Sequence, residues 1–187
     1  MLDRLKTLSQ RAARLFSRRV RRFARHQEGA SAVEFGLVAA PFFALLFAIL
    51  ETAFIFFASQ TLEATVADSG RLIMTGQAQT AGWNASTFKN QVCARVFSLF
   101  DCQNGVYVNV QKYASFAAAS TSTPYNNGQF DTTKMNYQAG DPGEIQVVQL
   151  FYQWPIYISF FSMNLSNQNG NKRLLVATTV FRNEPFK

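Results

Sequence analysis

The sixteen residues from Phe35 to Leu50 carry no charge, and this run constrains the chain more than any other feature. It is built of Phe, Leu, Ala, Val and Ile, with one glycine and one proline. Glu34 stands just before it and Glu51 just after, and "TAFIFF" carries the apolar character on to Phe57. On a helix the two carboxylates lie roughly 25 Å apart, at about 1.5 Å per residue. A bilayer's hydrocarbon core is about 30 Å thick. The acids therefore fall near opposite membrane faces. That placement is tolerable, whereas a carboxylate at the bilayer centre costs on the order of 3 kcal/mol. The run is short for a span, so it works only if Glu51 snorkels or finds a partner.

The charge distribution supports a membrane helix. Nine basic residues precede Ala30, opposed only by Asp3 and Glu28, so this stretch holds the whole formal net charge of +7. A basic tag can address nucleic acid, anionic lipid or membrane topology. The apolar run directly behind it selects topology and the lipid bilayer, with no nucleic-acid partner. An arginine excess before a span predicts a cytoplasmic N-terminus and an outer C-terminal part. A cleaved secretory signal fits less well, since the apolar run is long and no A-x-A site follows it. A transit peptide would account for the Arg-rich residues 2 to 23 but not for the span behind them.

Pro41 lies inside the span and removes a backbone bond to Leu37, so a kink or loosening is expected there. Small residues recur at four-residue steps: Ala32, Gly36, Ala40, Ala44 and Ala48. Such a ridge suits close helix packing in lipid. Ordinary alanine usage in apolar helices explains it equally well. Beyond the span, Leu62, Val66 and Ile73 share one face while Glu63, Asp68 and Arg71 lie elsewhere. This amphipathic pattern predicts one long helix from near Ala30 to Thr75, with Gly76 as its cap.

The rest reads as a small α+β domain. Ser86 is a candidate N-cap for a helix whose stripe is Phe88, Val92, Val96 and Leu99. "GVYVNVQKYASF" alternates Val106, Val108 and Val110 with polar or aromatic neighbours, a strand pattern. Residues 119 to 142 are rich in Ser, Thr, Asn, Gly and Gln and read as a long loop. "EIQVVQLFYQW" is a second strand, partly buried on both faces and ended by Pro155. "IYISFFSM" is ambiguous between a short helix and a buried turn, "SNQNGN" is a turn, and "KRLLVATTVFRNEPF" is a third strand. Three strands spaced in this way suit an antiparallel sheet, and the amphipathic end of the long helix is its natural cover. The only cysteines, Cys93 and Cys102, can close a disulfide if the domain lies outside the cytoplasm.

Chemistry is sparse. His26, the only histidine, lies in the basic tag, which removes Ser-His and Cys-His catalysis from the remainder. Two cysteines and one histidine make a poor zinc set. No phosphate loop is present. No cofactor, metal or catalytic residue is therefore expected. Asp141 and Glu144 read as a solvated loop pair. "NAS" at Asn84 and "NLS" at Asn164 match the glycosylation triplet, which is frequent by chance. Tyr152, Trp154 and Tyr157 offer either packing or a binding surface.

Together these features resemble type IV pilin-like proteins and, more closely, the TadE-like pseudopilins of tight-adherence (Flp) pilus systems. The resemblance rests on the basic leader, Gly29, "ASAVEF" and the helix "ILETAFIFFASQTLEATVADSGRLIMTGQ", over about residues 20 to 80. The family's processing motif is a Gly, four residues, a Glu and an aromatic, usually Tyr; here these are Gly29, Glu34 and Phe35. The closing "VFRNEPF" is also similar to alphaproteobacterial members. The resemblance implies cleavage after Gly29 by a prepilin peptidase, leaving Ala30 with a new ammonium. It implies that Glu34 pairs with the N-terminus of a neighbouring subunit. Ala30 and Glu34 are also four apart on one helix, so an intramolecular pair is the competing arrangement.

The expected architecture is thus α+β and pilin-like: a leader over 1–29, a transmembrane half over 30–57, an amphipathic extension over 58–76, and a periplasmic domain over 77–187. The helix would pack on an antiparallel sheet of about three strands with a second helix. The expected partners are the prepilin peptidase, other pilins or pseudopilins, the inner-membrane assembly platform and the bilayer. A signal-anchored, unprocessed protein with a ligand-binding outer domain is the rival reading. An enzyme is disfavoured.

Overall fold

The computed structural model describes residues 29–96, 99–126, 129–157 and 165–186. Most of the basic leader, His26, Asn164 and most of the "IYISFFSM" segment lie outside them. The first element, α1, runs from Ala30 to Met74 and passes through Pro41 without ending. It stops where expected. Gly76 adopts φ 80°, a left-handed conformation that glycine takes without a Cβ penalty. The Gly76 N–H donates to the carbonyl of Ile73 at 3.0 Å, and the Thr75 N–H to that of Arg71 at 3.0 Å. A Cβ on Gly76 would collide with the ring of Phe186, so the C-terminal tail also fixes this end.

Short helices follow: α2 (Gln77–Thr80), α3 (Ala85–Cys93) and α4 (Cys102–Gly105). The cap of α3 is Asn84, not Ser86. Its Oδ1 accepts from the Thr87 N–H at 2.9 Å and from the Ser86 hydroxyl at 2.7 Å. Ser86 sits inside the first turn, and its hydroxyl supports the cap from there. The "NAS" triplet is thereby a helix start. Phe88 and Val92 of the predicted stripe are buried, while Val96 and Leu99 pack on the core from beyond the helix end.

The main sheet has the order β1–β4–β5 and is antiparallel throughout. Its strands are β1 (Val106–Tyr113), β4 (Ile145–Pro155) and β5 (Lys172–Arg182). Between β1 and β4 lies a two-stranded ribbon, β2 (Tyr125–Asn126) with β3 (Gln129–Phe130). The register sets Val106, Val108 and Val110 opposite Tyr152, Leu150 and Val148. It sets Leu175 and Ala177 opposite Tyr152 and Leu150 on the other side of β4. This face meets α1. Ile55, Ala58, Leu62, Val66 and Ile73 share one buried cluster with Val106, Val110, Val148, Leu150, Leu175 and Ala177. Each large apolar side chain buried here contributes about 1.5–3 kcal/mol. Gly70 lets helix and strand approach, because a Cβ there would stand 2.9 Å from the Thr179 methyl and 3.0 Å from the Phe181 ring.

The opposite face of the sheet is covered too, by the polar stretch that reads as a loop from composition. Phe130 packs edge-on against Tyr107 and tilted against Phe151, with ring centres 5.2 Å from each. The Gln149 amide donates to the Thr121 carbonyl at 3.1 Å, and the Asn109 amide donates to Gln149 Oε1 at 3.1 Å. Asn109 Oδ1 accepts in turn from the Asn136 N–H at 2.9 Å. The returning strap pairs with the edge of β1, where the Val110 N–H donates to the Asn136 carbonyl and the Gln138 N–H to the Val110 carbonyl. This explains why Asn109 and Gln149 are buried at strand positions and why β4 is buried on both faces.

Cys93 and Cys102 form a disulfide with Cα atoms 5.5 Å apart. It ties the end of α3 to the start of α4. Closing a loop of this length contributes about 3 kcal/mol in the chain-entropy account. Two compact units are distinguished along the chain, one ending at Phe47 and the other running from Ala48 to the C-terminus.

Candidate functional site

The predicted processing residues lie at the start of α1. Gly29 is exposed, with open space where a side chain would be. Glu34 and Phe35 are exposed on the first turns, and Gly36 also faces open space. Of the small-residue ridge, Ala32 and Ala40 are exposed while Ala44 and Ala48 are half-covered. Between Ser31 and Leu50 no described side chain is buried. Phe35, Leu37, Val38, Phe42, Leu45 and Ile49 present large apolar surface to the surroundings. A soluble monomer does not leave so continuous a patch in water. The helix is long and apolar enough to cross a membrane.

Glu51 behaves differently from Glu34. It is 7% exposed, and its Oε1 accepts the Tyr157 N–H at 2.6 Å. The carboxylate does not snorkel into solvent; it bonds to backbone two residues past the end of β4. Its position follows from phase. Glu51, Ile55, Ala58, Leu62, Val66, Ser69 and Ile73 step by four or three residues and are all buried, the spacing of a single helix face. That signal was present in the sequence. An acid flanking an apolar run is easily assigned to the run rather than to the stripe that follows it.

The remaining candidates resolve into structure. The aromatic trio divides: Tyr152 and Trp154 pack around Phe100 with ring centres 4.9 and 6.1 Å away, whereas Tyr157 points outward. Asp141 and Glu144 close a turn. Glu144 Oε2 accepts the Asp141 N–H at 2.8 Å, and Oε1 lies 3.3 Å from Lys112 Nζ. The Asp141 N–H, aided by the Lys112 ammonium, holds the Glu144 carboxyl below its ordinary value of 4.5. A polar cavity of about 210 Å³ opens beside Asn109, Gln111, Ser120, Tyr125, Lys134 and Gln149. Its amides are engaged with one another: Gln111 donates to Asn109 at 3.2 Å, and Asn109 to Gln149 at 3.1 Å. The cavity therefore reads as the seam of the strap.

The geometry concentrates unusual features on α1: an open glycine, an exposed acid, an uncovered apolar surface, and then a covered stripe. Comparison with known proteins singles out the same element. No curated protein and no solved structure matches the chain. Residues 29–71 match the family model described as TadE-like protein. The match starts at Gly29, runs to Arg71 and takes in nearly all of α1.

Proposed function

We propose that this protein is a pseudopilin or minor pilin that takes part in assembling an adhesion pilus, after a prepilin peptidase cleaves behind Gly29. One observation carries the reading: the TadE-like match begins at Gly29, where the basic leader stops and the Gly-to-Glu spacing starts. A TadE-like domain supports involvement in the tight-adherence pilus system. The chain is then the peptidase's substrate and no enzyme itself. The leader lies in the bacterial cytoplasm, α1 crosses the inner membrane once, and residues 77–187 stand in the periplasm.

The chemistry is that of a cut followed by a pairing. Glycine suits the cut because it lacks a side chain and loosens the helix start. Hydrolysis of the Gly29–Ala30 bond leaves an ammonium on Ala30. In a filament interior, Glu34 pairs with that group on a neighbouring subunit, since a lone carboxylate there would be strongly disfavoured. Ala30 and Glu34 of one chain, four apart on α1, form the competing pair. The exposed apolar flank of α1 is solvated by lipid before assembly and by other pilin or pseudopilin helices afterwards. The inner-membrane assembly platform is the remaining partner.

The test is to express the chain with and without its cognate peptidase and sequence the mature N-terminus. A chain beginning at Ala30 only when the peptidase is present supports the proposal; an intact leader with the peptidase present refutes it. Glu34→Ala is expected to leave cleavage largely intact and to impair incorporation into the pilus. Normal incorporation of that variant would remove the assembly role of Glu34.

A further inference from the structure

The uncharged run of α1 is too short to cross a membrane alone. Sixteen residues span about 24 Å, against a hydrocarbon thickness of about 30 Å. Continued to Phe57, the apolar stretch reaches about 34 Å, which is sufficient. That places Glu51 before the end of the hydrocarbon layer. Phe54 and Phe56, further along α1, are 54% and 68% exposed, so much of each ring faces outward. Glu51 is tolerable at such depth only because it is enclosed and hydrogen-bonded. Its donor is the backbone of Tyr157, at 2.6 Å. The chain just past the end of β4 must therefore sit at the depth of Glu51. All of these contacts lie within the unit that begins at Ala48.

The consequence concerns Tyr157, which is 79% exposed beside this bond. Tyrosine is the side chain expected where an apolar ring meets lipid and a hydroxyl reaches the headgroup layer. The backbone N–H that would be costly there is already satisfied by Glu51. We propose that the sheet domain does not stand clear of the membrane: the chain just past the end of β4, through Tyr157, and the exposed rings of Phe54 and Phe56 form a foot seated in the lipid interface. This rests on the reading of α1 as a membrane span.

Spin labels on single introduced cysteines test it in lipid nanodiscs, with labelling done without reductant so that the Cys93–Cys102 disulfide stays closed. Tyr157→Cys and Phe54→Cys report the foot. Leu45→Cys reports the span, and Ala85→Cys, on the exposed start of α3, reports water. Oxygen is expected to reach positions 157, 54 and 45 readily, with a water-soluble nickel chelate reduced at all three relative to position 85. A label at 157 as open to nickel as the one at 85, with 45 in lipid, overturns the foot and leaves the span intact. Shielding of 157 from both probes overturns it in favour of a protein partner. Nickel access at both 45 and 157 overturns the span and the foot together. Phe54→Cys guards against a local effect of replacing Tyr157.

Discussion

The two halves of α1 differ in apolar content and have opposite surroundings. From Ser31 to Leu50 no described side chain is buried. From Glu51 to Ile73 every third or fourth residue is buried against the sheet. The difference lies both in composition and in order: the first run is uncharged from Phe35 to Leu50, while the second carries Glu51 along a single apolar stripe and Glu63, Asp68 and Arg71 away from it. A helix that is apolar on all sides has no preferred face and needs an apolar medium, whereas a stripe has one face and needs one partner. Glu51 marks the change, being the first residue whose burial follows the stripe.

Matched substitutions can break this comparison. The largest effect is expected from leucine truncation. Leu62→Ala should cost about 3 kcal/mol by opening a cavity under the sheet, while Leu45→Ala should leave the midpoint unchanged in thermal unfolding of the detergent-solubilised protein. Equal losses at both sites would mean that the first half also has a packed partner within the chain. A smaller effect, differing in sign, is expected from glycine replacement. Gly70→Leu should lower stability by about 2 kcal/mol, because the strand already touches the space a side chain needs. Gly36→Leu meets nothing and should not lower it, since leucine favours helix over glycine. If Gly70→Leu is silent, the close approach of α1 to β5 is not what the geometry indicates.

The smallest effect is expected from acid, and it should be confined to the sheet domain. Glu144 has its carboxyl lowered by the Asp141 N–H first and by Lys112 after it. A lowered folded value means that the stabilisation is full above the unfolded value, near pH 4.5, and is lost as pH falls below it. Glu144→Gln should therefore flatten the acid limb of the unfolding-versus-pH profile. A profile unchanged by that substitution would leave the turn without an ionic contribution.

The sequence made α1, its end at Gly76, the three main strands and the antiparallel arrangement legible, because each is encoded by local period or a local stop. The cysteine pair was legible from count, Cys93 and Cys102 being the only two cysteines in the chain. Asn84 was missed as a cap because Asn84 and Ser86 both offer a suitable oxygen two residues apart, and only the backbone decides between them. The order of the strap over Asn109 and Gln149 was not legible. Its hydrogen bonds to the sheet join residues 26 to 28 positions apart and leave no periodic trace. The partnership of Glu51 was hidden by distance as well, with Tyr157 lying 106 residues downstream.

The strap over the second sheet face has an evolutionary consequence. Among its described residues, the inward contacts include those of Thr121, Phe130, Asn136, Tyr137 and Gln138. Ser115, Phe116, Ser122, Tyr125 and Thr133 face outward. Substitution at these outward positions alters the chemistry shown to the environment without touching the core. The domain can therefore vary what it displays while the helix that anchors it stays the same.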